Sequence, residues 1–167
     1  MTNTLTPPPP RPAVAFLLLL AAMTGCGVPR DSEGTLERMR GGVMRVGVTD
    51  HPPWDSVTAE VVRGIEPVLV AELAATIGAR PTWRRGAESE LLAALARREL
   101  DLVAGGLTDD SPWASKVALT RPYTTDQSGR GHVLAVPAGE NGWLVTVERF
   151  LQQRADSARV NTTGVAQ

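Results

Sequence analysis

The chain of 167 residues holds one cysteine, Cys26, which rules out an intramolecular disulfide. Aromatic residues make up only 4% of it, and Lys116 is the one lysine among 17 basic residues. Those bases are balanced by 18 acids to a net charge of −1, which excludes the strongly basic footprint of a nucleic-acid-binding protein. No apolar run approaches the ~20 residues of a membrane-spanning helix. The longest extends from Ala13 to Met23. Gly-x-Ser-x-Gly, Walker, His-Glu-x-x-His and Cys-x-x-Cys motifs are all missing. The two histidines, His51 and His132, have no close-spaced metal partner. No catalytic residue, metal or cofactor is therefore expected, and the chain reads as a binding module rather than an enzyme.

What is present at the N-terminus is an export pattern. Arg11 supplies a slight basic region, Ala13 to Met23 an apolar core, and Thr24-Gly25 the small residues of a cleavage point. Met23-Thr24-Gly25-Cys26 resembles the lipobox of bacterial lipoproteins, in which the cysteine after the cut takes the acyl chains. The resemblance implies lipidation at Cys26 and attachment in the cell envelope, on the outer face of the cytoplasmic membrane or on the outer membrane. Ordinary signal cleavage that leaves an unpaired thiol is the alternative. The organisation expected is a lipoprotein signal peptide over 1–25, a lipidated linker with a short helix over 26–42, one domain over 43–154, and a flexible tail over 155–167.

Within the domain, apolar spacing alternates between two periods. Thr35 to Arg40 suits a short helix closed by Gly41-Gly42. Val43 to Val48 is a β-rich run bounded by glycine and by Asp50, Pro52 and Pro53. Val70, Leu73, Ala74 and Ile77 recur at helical spacing after Pro67, a residue tolerated in a first turn. Pro81 to Arg85 predicts a strand, Glu88 to Arg98 a helix, and Leu100 to Ala104 a further strand. Val117 to Leu119 and His132 to Val136 are also strand candidates. Asn141 is placed to cap a final helix with the apolar face Trp143, Leu144, Val147, Phe150 and Leu151. Strand and helix alternating through short connections predict an α/β fold, a single mostly parallel sheet of about five strands flanked by helices.

Several ordered stretches resemble the first lobe of the family 3 extracellular solute-binding proteins, the receptors of ABC transporters for amino acids and similar solutes. Met44-Arg45-Val46-Gly47-Val48 followed by His51-Pro52-Pro53-Trp54 resembles the family's first strand and its aromatic-Pro-Pro-aromatic loop. Gly64-Ile65-Glu66 resembles the start of its first helix. Leu95 to Thr108 is similar to its "aLxxGxxDlxxxgmT" stretch, and Thr120-Arg121-Pro122-Tyr123 to its "sxPY". His132 to Glu140 resembles the strand that returns to the first lobe. Two departures stand out. Tyr123 is joined to His132 by residues 124–131 alone, where the family inserts an entire second lobe. Trp113 stands in the slot of the arginine that grips the solute carboxylate, and an indole cannot make that bidentate contact.

The resemblance places His51 and Trp54 in a solute-stacking loop. Gly105, Gly106 and Thr108 lie at the end of a parallel strand, where open α/β sheets put ligands, with backbone and hydroxyl groups to offer. Packing of Trp54 on the strand and solvation of His51 remain the alternative. Asp109 and Asp110 read either as a cation attractor or as a helix cap before Ser111-Pro112-Trp113. The function implied is a lipid-anchored, solute-binding-like protein with a half-site, including Trp113, for weak binding of a small polar solute. An ABC permease or another envelope protein is its partner. The competing reading is a truncated interaction or regulatory module, or a remnant, that uses the exposed cleft face to bind a protein.

Overall fold

The structure is a computed structural model that describes residues 30–58 and 61–164, with side chains described up to Asp156. Cys26 and the export segment lie outside the described residues. Helix α1 spans Thr35–Met39 and is followed by strand β1, Val43–Val48. A small hairpin of β2, Asp55–Val57, and β3, Val62–Gly64, leads into α2, Ile65–Thr76. Then come β4, Arg80–Arg85; α3, Glu88–Ala96; β5, Leu102–Ala104; a 3₁₀ turn, Pro112–Ser115; and β6, Val117–Leu119. Strands β7, Thr124–Thr125, and β8, Gly131–His132, form a second hairpin. Strand β9, Ala135–Pro137, and α4, Asn141–Gly164, complete the order.

The central sheet has five strands in the order β4-β1-β5-β9-β6. Strands β4, β1 and β5 are parallel, and β9 runs antiparallel between β5 and β6. This is the mostly parallel, helix-flanked sheet that the sequence pattern predicts. Period-2 alternation splits the core in two. Met44, Val46, Leu102, Ala104 and Val136 join α1, α2 and α4 on one face, through Met39, Val70, Leu73, Trp143 and Val147. Val103, Val117, Val133 and Ala135 join α3 on the other, through Leu91, Leu92 and Leu95.

Four local features differ from the sequence reading. His132 to Val136 is not one strand. The Leu134 amide donates to the Thr120 hydroxyl and the Val133 amide to the Leu107 carbonyl, which interrupts the ladder between β8 and β9. Asn141 does not cap α4; Asp31 does, accepting from the Trp143 amide at 2.7 Å and from the Leu36 amide of α1 at 2.8 Å. Glu140 answers it by accepting from the Thr35 amide of α1. The two helix N-termini are thus capped by residues about a hundred positions away. Helix α4 continues to Gly164, beyond Ala155 where a tail is expected. Helix α3 stops at Ala96 rather than running to Arg98, which adopts φ 62° and donates to Glu140 at 2.7 Å.

The β7–β8 hairpin stands where a second lobe would be inserted. Its turn is closed by Asp126, which accepts from the Ser128 and Arg130 amides at 2.8 and 3.0 Å, from the Ser128 hydroxyl, and from the Arg130 guanidinium. These bonds hold the Asp126 carboxyl well below the usual carboxylate range, the Ser128 hydroxyl contributing most. The crossing is a finished turn with its own hydrogen-bond set.

Candidate binding face

Parallel strands β1 and β5 end side by side, and the loops that leave them meet. Gly105 has φ 150°, and a Cβ there would lie 2.1 Å from the Thr49 side chain. Gly106 has φ 67°, and its missing Cβ would lie 3.0 Å from both the His51 ring and the Trp54 ring. The structure thus brings His51, Trp54, Gly105 and Gly106 together. His51 is exposed and Trp54 half-buried. The His51 backbone pairs with Asp55 in both directions, at 2.9 and 3.0 Å, which closes the loop containing the cis Pro52-Pro53 peptide.

Trp54 is held from two sides. It stacks on His132 with ring centroids 3.8 Å apart and meets Tyr123 edge-on at 6.3 Å. A groove beside it is lined by Pro53, Trp54, Thr125, Asp126, Ser128 and Arg130. The hairpin that replaces a second lobe thus borders the tryptophan. Thr108 bridges to His132 through the backbone, and its hydroxyl donates to Asp110 at 2.5 Å.

The amides assigned to a solute are already engaged. Gly105 and Gly106 both donate to one oxygen of Glu66, at 2.6 and 3.1 Å, and the Tyr123 hydroxyl donates to the other at 2.6 Å. Glu66 is fully buried at the start of α2, and Asp55 is fully buried next to it. Gly64 makes this approach possible: with φ 135°, any Cβ would fall 2.2 Å from the Trp54 carbonyl oxygen. Burial pushes the Asp55 carboxyl up to about 9, and the neighbouring Glu66 and Asp50 push in the same direction. Burial and the Glu66 carboxylate likewise raise the Tyr123 phenol.

Trp113 belongs to the connection between β5 and β6. It sits in the 3₁₀ turn, packs half-buried against the α3 side of the core, and carries the Lys116 ammonium 5.0 Å from its ring. Neither Asp109 nor Asp110 caps that turn; the Ser111 hydroxyl does, accepting from the Trp113 amide at 3.4 Å. Sequence reasoning missed the roles of Asp55, Glu66, Tyr123 and His132 at this face. The available signal was Gly64-Ile65-Glu66, because glycine followed by an acid in a first turn is usually a solvated helix start and here is buried.

A lone α/β lobe with an aromatic loop over a glycine turn at its strand ends is the architecture of a solute-binding lobe. The chain belongs to the bacterial extracellular solute-binding proteins, family 3, whose sequence model matches residues 44–158. It is a single-lobe chain. Among solved structures it is similar to a point mutant of the arginine-bound form of domain 1 from TmArgBP, the arginine-binding protein of T. maritima. That likeness has 22% identity over 72% of this chain and 98% of the other, with a TM-score of 0.66. An ancestral cationic amino acid solute binding protein is similar at 14% identity, covering 77% of this chain and 96% of that one, TM-score 0.66. An ancestral cyclohexadienyl dehydratase is similar at 13% identity, 81% and 95% coverage, TM-score 0.68. None of the curated proteins matches the chain in sequence.

Proposed function

We propose that this chain is an exported, lipid-anchored binding lobe that holds a small polar solute against the face formed by His51, Trp54, Gly106 and Thr108. Its activity is binding, without chemistry. The observation that carries the reading is the Asp126-closed hairpin, which ends the lobe cleanly and borders Trp54 at the place of a second lobe. The arginine-bound state of an isolated domain 1 in a structural neighbour supports the idea that one lobe can hold a solute. The extracellular family agrees with export, and Cys26 with anchorage in the cell envelope. A permease or another envelope protein is the expected partner.

With one jaw, affinity is low. A complete site at about 1 μM corresponds to roughly −8 kcal/mol, and half of that leaves a Kd of about 1 mM. Trp113 in place of a carboxylate-gripping arginine lowers affinity for ordinary amino acids further. Calorimetry of residues 27–167 with amino acids, polyamines and sugars is expected to give millimolar binding that Trp54→Ala abolishes. Sub-micromolar binding by a monomer contradicts the half-site, and tight binding by a dimer alone assigns the second jaw to another copy. For the anchor, labelled fatty acid is expected in the wild type and not in Cys26→Ser. Equal labelling of the two removes the lipoprotein assignment.

One observation favours a second reading, an interaction module that has given up solute. The Gly105 and Gly106 amides are spent on Glu66, and Trp54 is occupied by His132. A face whose donors are internally satisfied offers shape and aromatic surface to a protein more readily than hydrogen bonds to a small molecule.

A further inference from the structure

Two buried carboxyl groups sit together beneath the Trp54 loop, and their surroundings differ. Glu66 has three donors: the Gly105 amide, the Gly106 amide and the Tyr123 hydroxyl. Asp55 has none, for neither of its oxygens has a hydrogen-bond partner. An ionised carboxylate without donors, out of water and beside a second carboxylate, is a strongly disfavoured species. A carboxylic acid in the same place is well suited, because its O–H donates to Glu66 and satisfies both groups.

We propose that Asp55 is a neutral acid whose proton is shared with Glu66, and that this acid pair is a positioning element that fixes the Gly105-Gly106 turn beneath Trp54 and His51. The chain of contacts is short. Asp55 holds Glu66 through the proton, and Glu66 holds the two glycine amides directly. Burial and the charges of Glu66 and Asp50 keep the proton on Asp55 up to about pH 9. The other titratable group on the pair is Tyr123 after β6; His51 meets Asp55 through the backbone, and His132 of β8 stacks on Trp54. No lysine or arginine is hydrogen-bonded to either carboxyl among the described residues.

A folded-state value raised above the unfolded one means that the native protein keeps a proton the unfolded chain has lost. The stability it contributes is full below about pH 4 and declines as pH rises towards about 9. Asn at position 55 keeps the shape and an N–H donor to Glu66 but carries no titrating proton. The wild type is expected to lose melting temperature between about pH 5 and about pH 9, and Asp55→Asn to lack that component, so that the variant melts above the wild type at the alkaline end.

Two further measurements on the wild type keep the proposal testable if the variant folds poorly. At pH 7 an infrared band of a buried carboxylic acid is expected. The amide resonances of Gly105 and Gly106 should shift together in alkali. Parallel melting profiles of wild type and Asp55→Asn, or the absence of the acid band, would overturn the shared proton. Glycine amides that stay fixed while Asp55 titrates would overturn its positioning role. None of these readouts uses a solute, so a chain that binds no solute leaves the inference standing.

Discussion

Trp143→Ala is expected to remove about 3–5 kcal/mol of folding stability, the usual cost of emptying a fully buried tryptophan site. Trp143 has no exposed surface, belongs to the core cluster that holds Met39, Met44, Leu102 and Leu134, and donates its indole N–H to the Asp101 carbonyl at 2.7 Å. It pins α4 to the sheet at β5. A domain of this size has about 5–15 kcal/mol in total, so the loss consumes about a fifth of it or more. Thermal unfolding should show a fall in Tm of at least about 10 °C. Trp143→Phe keeps most of the volume and loses the hydrogen bond, so it should cost less, about 1–2 kcal/mol. Truncation after Gly139 removes the whole stripe of Trp143, Val147, Phe150 and Leu151, and should yield an insoluble or molten product. A truncated chain that melts cooperatively at the original temperature would show that α4 is no part of the core.

Glu140→Ala should be comparably damaging, at about 2–4 kcal/mol. Its side chain is buried and accepts from the Ser32 hydroxyl at 2.8 Å, the Glu33 and Thr35 amides at 3.0 Å, and Arg98 at 2.7 Å. Removing it leaves the Glu33 and Thr35 amides without their acceptor and takes the carboxylate from Arg98, which keeps the Ala138 carbonyl and the Ser32 hydroxyl. Arg98 remains 39% exposed, so water recovers part of the loss, and the figure sits below that of a fully buried pair. Burial works against the charge on Glu140, but the bonds from Ser32, Thr35 and Glu33 outweigh it and bring the carboxyl down to about 2. A depressed value stabilises the native state above the unfolded value, near 4.5, and that contribution disappears as pH falls towards about 2. The wild type should therefore lose Tm across that window, and Glu140→Gln should lose distinctly less. Identical acid profiles for the two would show that Glu140 is not the linked group.

The parts of this fold that were legible are those where periodicity and burial coincide. Strand β1 falls on Val43 to Val48 as its glycine and proline boundaries require, and α2 carries Val70, Leu73 and Ala74 inward as their spacing implies. The hairpin of β2 and β3 was not legible, because three-residue strands show no alternation to read. The capping of α1 and α4 escaped for a different reason. Asp31 and Glu140 cross more than a hundred positions, and local composition pointed to Asn141. At the candidate face, the strand-end rule and the family resemblance named His51, Trp54 and the glycine turn, which the fold brings together. Trp113, named from the resemblance alone, packs against the α3 side of the core beside Lys116. Asp55 and Glu66 were the hardest to foresee, since an acid in a first helical turn or a short strand ordinarily faces water. Here Gly64 lets the start of α2 approach the Trp54-Asp55 backbone closely, and both acids are buried.

The central claim is that one closed lobe presents a usable solute face on its own. An amide-resolved titration of monomeric residues 27–167 with arginine and a panel of small polar solutes tests it most directly. The account predicts saturable shifts, with a midpoint of about 1 mM, concentrated at the Trp54 indole, His51, Gly106 and Thr108 for at least one solute. Resonances at this face that stay unmoved by every solute, while the protein remains folded and monomeric, would contradict it.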